Sequence, residues 1–124
     1  MSSPIQHFNL AIIGSRTFSN QKLALDVFQL FYDKRTANIN SIVSGGAKGA
    51  DSMAKYIAET IQKPIKEYLP DWNKHGKSAG MIRNIDIIKN CDEVLCFWDG
   101  TSKGTANSLG LAKKLKKMTV IYYF

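Results

Sequence analysis

Two glycine-rich turns each follow an apolar run, and their composition suits phosphate binding. The first glycine-rich turn, residues 44–51, reads Ser-Gly-Gly-Ala-Lys-Gly-Ala-Asp, and the second, residues 99–105, reads Asp-Gly-Thr-Ser-Lys-Gly-Thr. Glycine lets the backbone approach a ligand closely, and unpaired N–H groups at a helix start carry partial positive charge. A strand-to-helix turn without a ligand also favours glycine, so one such turn leaves both interpretations open. The second turn favours a phosphate site.

Side chains around the two turns suggest individual roles in such a site. The backbone N–H groups that would hold phosphate belong to Gly45, Gly46, Ala47, Gly49, Gly104 and Thr105. Lys48 or Arg16 would add positive charge. Ser15 and Ser44 would donate hydrogen bonds to phosphate or ribose, or act only as turn residues. Asp51 would bind a ribose hydroxyl, or only offset the dipole of the helix that it begins.

Two tryptophans are candidates for stacking on a base. Trp98 ends an apolar run, where packing in the core is the more common role, whereas Trp72 lies in a polar stretch, where exposure and stacking are more credible. The cysteines, Cys91 and Cys96, have no histidine at metal-ligand spacing and do not form a disulfide framework. The sequence therefore predicts no metal and no cofactor.

Composition limits the class of protein. The 124 residues, of which 44% are hydrophobic, fit a single domain over residues 1–124. Seventeen basic residues against 10 acidic ones give a net charge of +7, which favours anionic partners such as nucleotides or nucleic acid. The densest basic cluster would offset a helix dipole or form a nucleic-acid patch: Lys113, Lys114, Lys116 and Lys117. No apolar run approaches the roughly 20 residues of a membrane span, and a cytoplasmic protein without membrane contact is expected.

The order of apolar segments predicts an α/β fold. Short apolar runs predict strands at residues 9–14, 41–44, 65–69, 94–98 and 120–123. Helices are predicted between them, the first capped by Asn20, with apolar stripes at Ala24, Val27, Phe28 and Phe31; Ala50, Met53, Ala54, Ile57, Ala58 and Ile61; Met81, Ile85 and Ile88; and Leu111, Ala112 and Leu115. Residues 70–78 are predicted to be a polar loop. This alternation predicts a Rossmann-like three-layer sandwich, with a five-stranded, mainly parallel sheet and helices on both faces. Ligands bind such sheets at the carboxyl ends of the strands.

Four motifs resemble those of the SLOG superfamily, in chain order and over nearly the whole chain. They are residues 14–18 (Gly-Ser-Arg-Thr-Phe), the first glycine-rich turn, residues 71–84 with Asp-Trp and Arg-Asn, and residues 97–105. A small bacterial and phage branch related to YpsA is the most similar. The resemblance implies a Rossmann-like fold, a homodimer or larger assembly, and a nucleotide-derived ligand such as AMP, ADP-ribose or cyclic ADP-ribose. The implied ligand-binding residues are Gly14, Ser15, Arg16, Thr17, Ser44, Gly45, Gly46, Ala47, Lys48, Gly49, Asp51, Asp71, Trp72, Arg83, Asn84, Asp99, Gly100, Ser102, Gly104 and Thr105.

The resemblance also tests whether the protein is an enzyme. The related LONELY GUY phosphoribohydrolases release a base from a nucleoside monophosphate, and Arg83 stands where they place a catalytic arginine. Their glutamate position is Ser108 here. Cleavage of a glycosidic bond needs a carboxylate near the cationic sugar, so Asp99 or Asp51 would have to substitute. The sequence therefore favours a sensing or sequestering module, with hydrolysis and the single-stranded DNA binding of the related DprA proteins as alternatives.

Overall fold

A computed structural model describes residues 6–46 and 49–124, in which strands and helices alternate. The elements are β1 (Phe8–Gly14), α1 (Gln21–Tyr32), β2 (Ile39–Ser44), α2 (Ala50–Ile61), β3 (Ile65–Glu67), α3 (Trp72–His75), α4 (Ala79–Lys89), β4 (Glu93–Trp98), α5 (Lys103–Lys114) and β5 (Met118–Tyr123). Short 3₁₀ helices cover Asp33–Asn38 and Gly76–Ser78. The strands form one sheet in the order β3-β2-β1-β4-β5, and every neighbouring pair is parallel.

The helices cover both faces of this sheet. One core contains buried residues of α1 and α2 against one face, and a second core contains residues of α4 and α5 against the other. The chain leaves β1 toward β2 on one side, whereas β4 lies on the other side of β1, so the strand order reverses between β1 and β4. The predicted Rossmann-like three-layer fold is confirmed, and its switch point is where such folds bind ligands.

Local sequence signals account for the start of α1 and for the buried face of α2. Asn20 caps α1, because its Oδ1 accepts a hydrogen bond from the Leu23 N–H at 3.0 Å. In α2 the buried residues are those of the predicted stripe from Ala50 to Ala58: Ala50, Met53, Ala54, Ile57 and Ala58. Within the described residues, no helix has both the length and the apolar character that crossing a membrane would require.

Three predicted apolar stripes are partly wrong. In α5, Leu115 follows the last helical residue and is 39% exposed. Phe31 is 48% exposed, and the next residue, Tyr32, is buried in its place with 1% exposure. Tyr32 stacks on Phe28 with ring centroids 5.5 Å apart. The last residue of α1, and not Phe31, therefore packs in the core. In α4, Met81 is 58% exposed, whereas Ile87 and Ile88 are buried. Helical period alone does not distinguish these neighbouring positions, because each lies near the edge of the apolar face.

The segment between β3 and α4 also differs from its prediction. Strand β3 ends at Glu67, earlier than the predicted residue 69, and residues 70–78 contain α3 and a 3₁₀ helix. Asp71 caps α3, because its Oδ1 accepts a hydrogen bond from the Lys74 N–H at 3.0 Å. A capped turn therefore replaces the predicted loop.

Candidate functional site

A pocket of about 230 Å³ opens at the carboxyl edge of the sheet, at the switch point between β1 and β4. The following predicted site residues line the pocket: Gly14, Ser15, Arg16, Thr17, Asp51, Arg83, Asn84, Asp99, Ser102, Gly104 and Thr105. The wall also contains Ile13, Ile87 and Ser108. Loops after β1 and β4, the first turns of α2 and α5, and the middle of α4 thus surround one space.

Ser15 joins three of these segments. Its N–H donates to the Phe97 carbonyl at 2.9 Å, and its carbonyl accepts from the Ala50 N–H at 3.2 Å. Its Oγ accepts a hydrogen bond from the Asp99 N–H at 3.0 Å. Because Ser15 is only 2% exposed, these bonds fix the loops against one another. Ser15 therefore has a structural role in the turn, and it also lines the pocket.

Asp99 organises the loop that leads into α5. Its Oδ1 accepts hydrogen bonds from the N–H groups of Thr101 and Ser102, each at 2.8 Å, and the Ser102 hydroxyl donates to its Oδ2 at 2.8 Å. The bonds from the Ser102 and Thr101 amides, with that of the Ser102 hydroxyl, hold the pKa of the Asp99 carboxyl well below its usual range. Such a carboxylate is a weak proton acceptor, which disfavours Asp99 as a catalytic base.

The start of α5 presents backbone donors to the pocket. The Ala106 N–H donates to the Ser102 carbonyl at 3.0 Å, so the amides of residues 103–105 precede the first intrahelical bond. Within the described part of the chain, no hydrogen bond occupies the amides of Gly104 and Thr105, and both residues line the pocket. These are the donors that the sequence predicts for the second glycine-rich turn.

Arg83 supplies a charged wall from α4. Its Nη1 donates to the Gly45 carbonyl at 2.8 Å, and its Nε donates to the Asn84 side-chain oxygen at 2.8 Å. Burial lowers the pKa of the guanidinium, the nearby Asp51 carboxylate opposes that effect, and the positive charge of Arg16 adds to it. Arginine remains charged at any physiological pH, so the pocket holds a fixed cation whose orientation Gly45 and Asn84 set.

The described glycines of the first glycine-rich turn do not line the pocket, and Gly45 lies beside Arg83. A Cβ atom at Gly45 would come within 2.6 Å of Arg83 Nη1 and 3.0 Å of Asp51 Oδ2, so glycine is needed for this close approach. The Ser44 Oγ accepts from the Gly46 N–H at 3.3 Å, and Ser44 is completely buried, which is a turn role. The structure does not bring Ser44, Gly45, Gly46 or Gly49 to the pocket wall, and Ala47 and Lys48 lie outside the described residues.

Three other predicted residues lie away from the pocket. Asp71 serves as the cap of α3, and Gly100 lies in the loop that precedes α5. Trp72 is 56% exposed, as expected for a stacking residue, but it does not line the pocket. Trp98 packs against Tyr123 with ring centroids 5.7 Å apart, and its indole N–H donates to the Ser102 carbonyl at 3.2 Å. Trp98 therefore has the packing role.

Sequence reasoning missed the apolar floor of the pocket. Ile13 ends a buried run in β1, and Ile87 was not in the predicted stripe of α4. Ser108 was noticed only because a glutamate stands there in the hydrolases, and it is 7% exposed in the pocket wall. The sequence could have indicated Ile87, because it lies four residues after Arg83 on α4 and therefore on the same side of that helix.

Comparison with known proteins assigns the chain to a family. Residues 2–69, more than half of the chain, match the sequence model of the DNA recombination-mediator protein A family, so the chain belongs to that family. This agrees with the SLOG superfamily, which includes DprA-like proteins, but the YpsA-related branch is not confirmed. Gene 61 protein of Mycobacterium phage D29 is 37% identical over 79 residues, which cover 59% of this chain and 63% of the phage protein.

Two solved structures share the fold. DNA processing protein A from Helicobacter pylori, described for its single-stranded DNA binding mode, superposes with a TM-score of 0.69 at 22% identity. DNA processing protein A from Streptococcus pneumoniae superposes with a TM-score of 0.72 at 20% identity. They are matched over 94% and 93% of this chain, but over only 65% and 50% of their own chains. This chain thus spans less than two thirds of each relative.

Proposed function

We propose that the pocket binds the phosphate backbone of single-stranded DNA. The observation that carries the proposal is the convergence of two arginines, Arg16 and Arg83, with the unused first-turn amides of Gly104 and Thr105. Guanidinium groups and helix-start amides are the donors that bind phosphate oxygens in proteins. Membership of the DNA recombination-mediator protein A family supports DNA as the source of that phosphate.

The balance of charge supports binding of an anion at the mouth of the pocket. Asp99 lies in the wall, but three donors from Thr101 and Ser102 already surround its carboxylate. Asp51 lies beside the guanidinium of Arg83. Arg16 is exposed, so its charge is presented to solvent at the entrance. The net charge of +7 adds a long-range attraction for a polyanion.

This proposal prefers DNA to the nucleotide-derived signal that the sequence favoured. The family and the two structural relatives are DNA-processing proteins, and none of them is a sensor of AMP or ADP-ribose by its description. The enzymatic alternative is disfavoured, because Ser108 stands at the glutamate position and donors hold the Asp99 carboxylate. Asp51, the other candidate carboxylate in the pocket wall, lies beside the Arg83 guanidinium. Hydrolysis of nucleoside monophosphates stays a prediction, and free base found after incubation with AMP would support it.

Fluorescence anisotropy with a labelled oligothymidylate at low salt tests the proposal. Arg16→Ala and Arg83→Ala should each weaken binding roughly tenfold or more, since a charge-assisted hydrogen bond contributes about 1.5–3 kcal/mol. Lys114→Ala removes the same charge at the far end of α5 and should change the affinity less than about twofold, as expected for an exposed charge.

Three results would contradict the proposal. The wild type would fail to bind the oligonucleotide at low salt, or Lys114→Ala would weaken binding as much as Arg16→Ala does. The third is displacement of the bound strand by AMP or ADP-ribose at micromolar concentration, which would assign the pocket to a free nucleotide.

A further inference from the structure

Strand β5 is an open edge of the sheet. In the strand order it neighbours β4 alone, and within residues 6–46 and 49–124 no strand pairs with its other side. The Phe124 N–H donates to the Trp98 carbonyl at 3.2 Å, and the backbone groups of successive residues alternate in direction along a strand. The N–H and C=O groups of Thr119, Ile121 and Tyr123 therefore point away from β4, toward the open side.

The two edges of the sheet differ in how they are protected. β3, the opposite edge, has only three residues, follows Pro64 and carries the exposed charges of Lys66 and Glu67. Short length, proline and charge are features that keep an edge strand from pairing with another chain. β5 has six residues, no charged side chain and no break in its pairing with β4. Its composition is that of a strand whose open side is covered by another strand.

We propose that β5 pairs antiparallel with β5 of a second copy of the chain, which joins the two five-stranded sheets into one of ten strands. In the register that uses all the outward backbone groups, Ile121 lies opposite Ile121 of the second copy, and Thr119 lies opposite Tyr123. Each hydrogen-bonded pair of an antiparallel ladder exchanges two bonds, so every outward N–H and C=O group of the strand gains a partner. A two-fold axis beside Ile121 relates the copies, and this is the commonest symmetry of protein dimers.

The exposed apolar side chains of β5 meet one another in this register. On one face of the sheet Tyr123 lies opposite Thr119, and on the other Met118 lies opposite Phe124. Tyr123 and Phe124 are 60% and 46% exposed, which leaves about 200 Å² of aromatic surface per copy, because an aromatic side chain buries about 150–250 Å². Two copies would cover about 400 Å² there, and Met118, Ile121 and the strand edges extend this area toward the roughly 1,000 Å² of a specific interface.

Charge favours the antiparallel arrangement of two copies. Each copy has a net charge of +7, so an uncharged surface suits their association, and residues 118–124 carry no charged side chain. The nearest charges are the lysines that precede β5. With Ile121 at the axis, the Lys117 residues of the two copies lie eight residues apart along the paired strands, about 26 Å at about 3.3 Å per residue. This exceeds the Debye length of about 8 Å at physiological ionic strength, so the lysines do not oppose the pairing.

The pairing is independent of the proposed function. No residue of β5 lines the pocket, and the carboxyl edges of the two antiparallel sheets face in opposite directions. Each copy therefore keeps an open pocket, and variants of the open edge should keep the affinity of the wild type for oligothymidylate within about twofold. That affinity also shows that a variant is folded.

Sedimentation velocity of the protein without DNA tests the proposal. The wild type should be a dimer at micromolar concentration. Ile121→Lys and Ile121→Glu each place like charges opposite one another at the axis, so each variant should be a monomer. An equimolar mixture of these two variants should form the dimer again, because opposite charges then face one another. Leu30→Lys, at an exposed apolar residue of α1, is the control and should stay dimeric.

Each other outcome overturns the inference. A monomeric wild type would leave the open edge to a strand of another protein. An Ile121→Lys variant that stays dimeric would place the interface on another surface. A mixture of the two Ile121 variants that stays monomeric would show that residue 121 does not face its own copy. Loss of oligothymidylate binding by the wild type would instead overturn the proposed function and leave the dimer unaffected.

Discussion

The contact between Gly45 and Arg83 shows how a residue without a side chain sets the chemistry of the site. The Gly45 carbonyl holds Arg83 Nη1 at 2.8 Å, and only hydrogen at the Cβ position leaves room for the guanidinium and for Asp51. The sequence singled out Gly45 as a direct phosphate ligand. In the structure the Gly45 carbonyl positions a cation, and this role could be predicted only by knowing that α4 passes beside Gly45.

Gly45→Ala should therefore reduce DNA binding more than it reduces stability. The added methyl group meets the end of the flexible side chain of Arg83, which can move, so the free energy of unfolding should fall by less than about 1 kcal/mol. The displaced guanidinium should lower affinity roughly tenfold, as Arg83→Ala does. Urea denaturation and anisotropy measure the two quantities.

Gly110→Ala is the matched control for this substitution. Nothing lies within 4 Å of a Cβ atom at Gly110, which is in the middle of α5. It should stabilise the protein by roughly 0.5–1 kcal/mol and leave DNA binding unchanged. Normal binding by Gly45→Ala, or equal loss by both variants, would contradict the assigned role of Gly45.

At the scale of elements, the loop between β4 and α5 is held by one carboxylate. The Asp99 carboxylate accepts hydrogen bonds from the amides of Thr101 and Ser102. These bonds fix the loop so that the first residues of α5 line the pocket. The sequence predicted an Asp-Gly turn before a helix, but a turn pattern does not state which donors the aspartate satisfies. The conformation of this loop also depends on Ser15, which follows β1. Its Oγ accepts hydrogen bonds from the Asp99 N–H and the Ser102 hydroxyl.

The stability that Asp99 contributes should depend on pH. Its folded-state pKa is depressed, so this stability is present above the unfolded-state value of about 3.9 and is lost as the pH falls through the depressed folded-state value. Asp99→Asn should lower Tm at about pH 7, and the difference from wild type should shrink steadily below about pH 4. Asp86→Asn, at an exposed acid on α4, should show no comparable trend. A Tm difference for Asp99→Asn that is constant across this range would be inconsistent with the assigned hydrogen bonds.

Element boundaries were predicted well where a local signal exists. Asn20 caps α1 as predicted, and the stripe of α2 is buried as predicted from Ala50 to Ala58, with Ile61 only partly buried. Phe31 was predicted to be buried, but Tyr32 is the buried residue. Both are aromatic, and only the packing against Phe28 distinguishes them. The short helix α3 was missed because an aspartate cap before a polar segment has the composition of a loop.

At the scale of the whole molecule, the fold was predictable because apolar runs and helical stripes alternate regularly. Parallel strands with right-handed crossovers then place every βα loop at one edge, which brought Arg16, Asp51 and Asp99 to one pocket. A second, more apolar cavity beside the pocket, lined by Met81, Ile85 and Leu111, was not predictable, because its shape depends on the spacing between α4 and α5. The preference for DNA over a nucleotide signal came from the family and its relatives, since both ligands present phosphate.

The location of DNA on the molecule distinguishes the pocket from the other basic surface of the chain. The lysine cluster at residues 113–117 lies at the end of α5, whereas the pocket lies at its start, so the two candidate surfaces are at opposite ends of one helix. Binding through the lysines would also neutralise phosphates, so its affinity would also fall as salt rises. Affinity alone therefore does not separate them.

The most direct test is an NMR titration of ¹⁵N-labelled protein with unlabelled oligothymidylate. We expect the largest amide shift changes at Gly104 and Thr105, with changes at Arg16 and Arg83, and small changes at residues 113–117. Shift changes concentrated at residues 113–117, with Gly104 and Thr105 unmoved at saturation, would contradict the account.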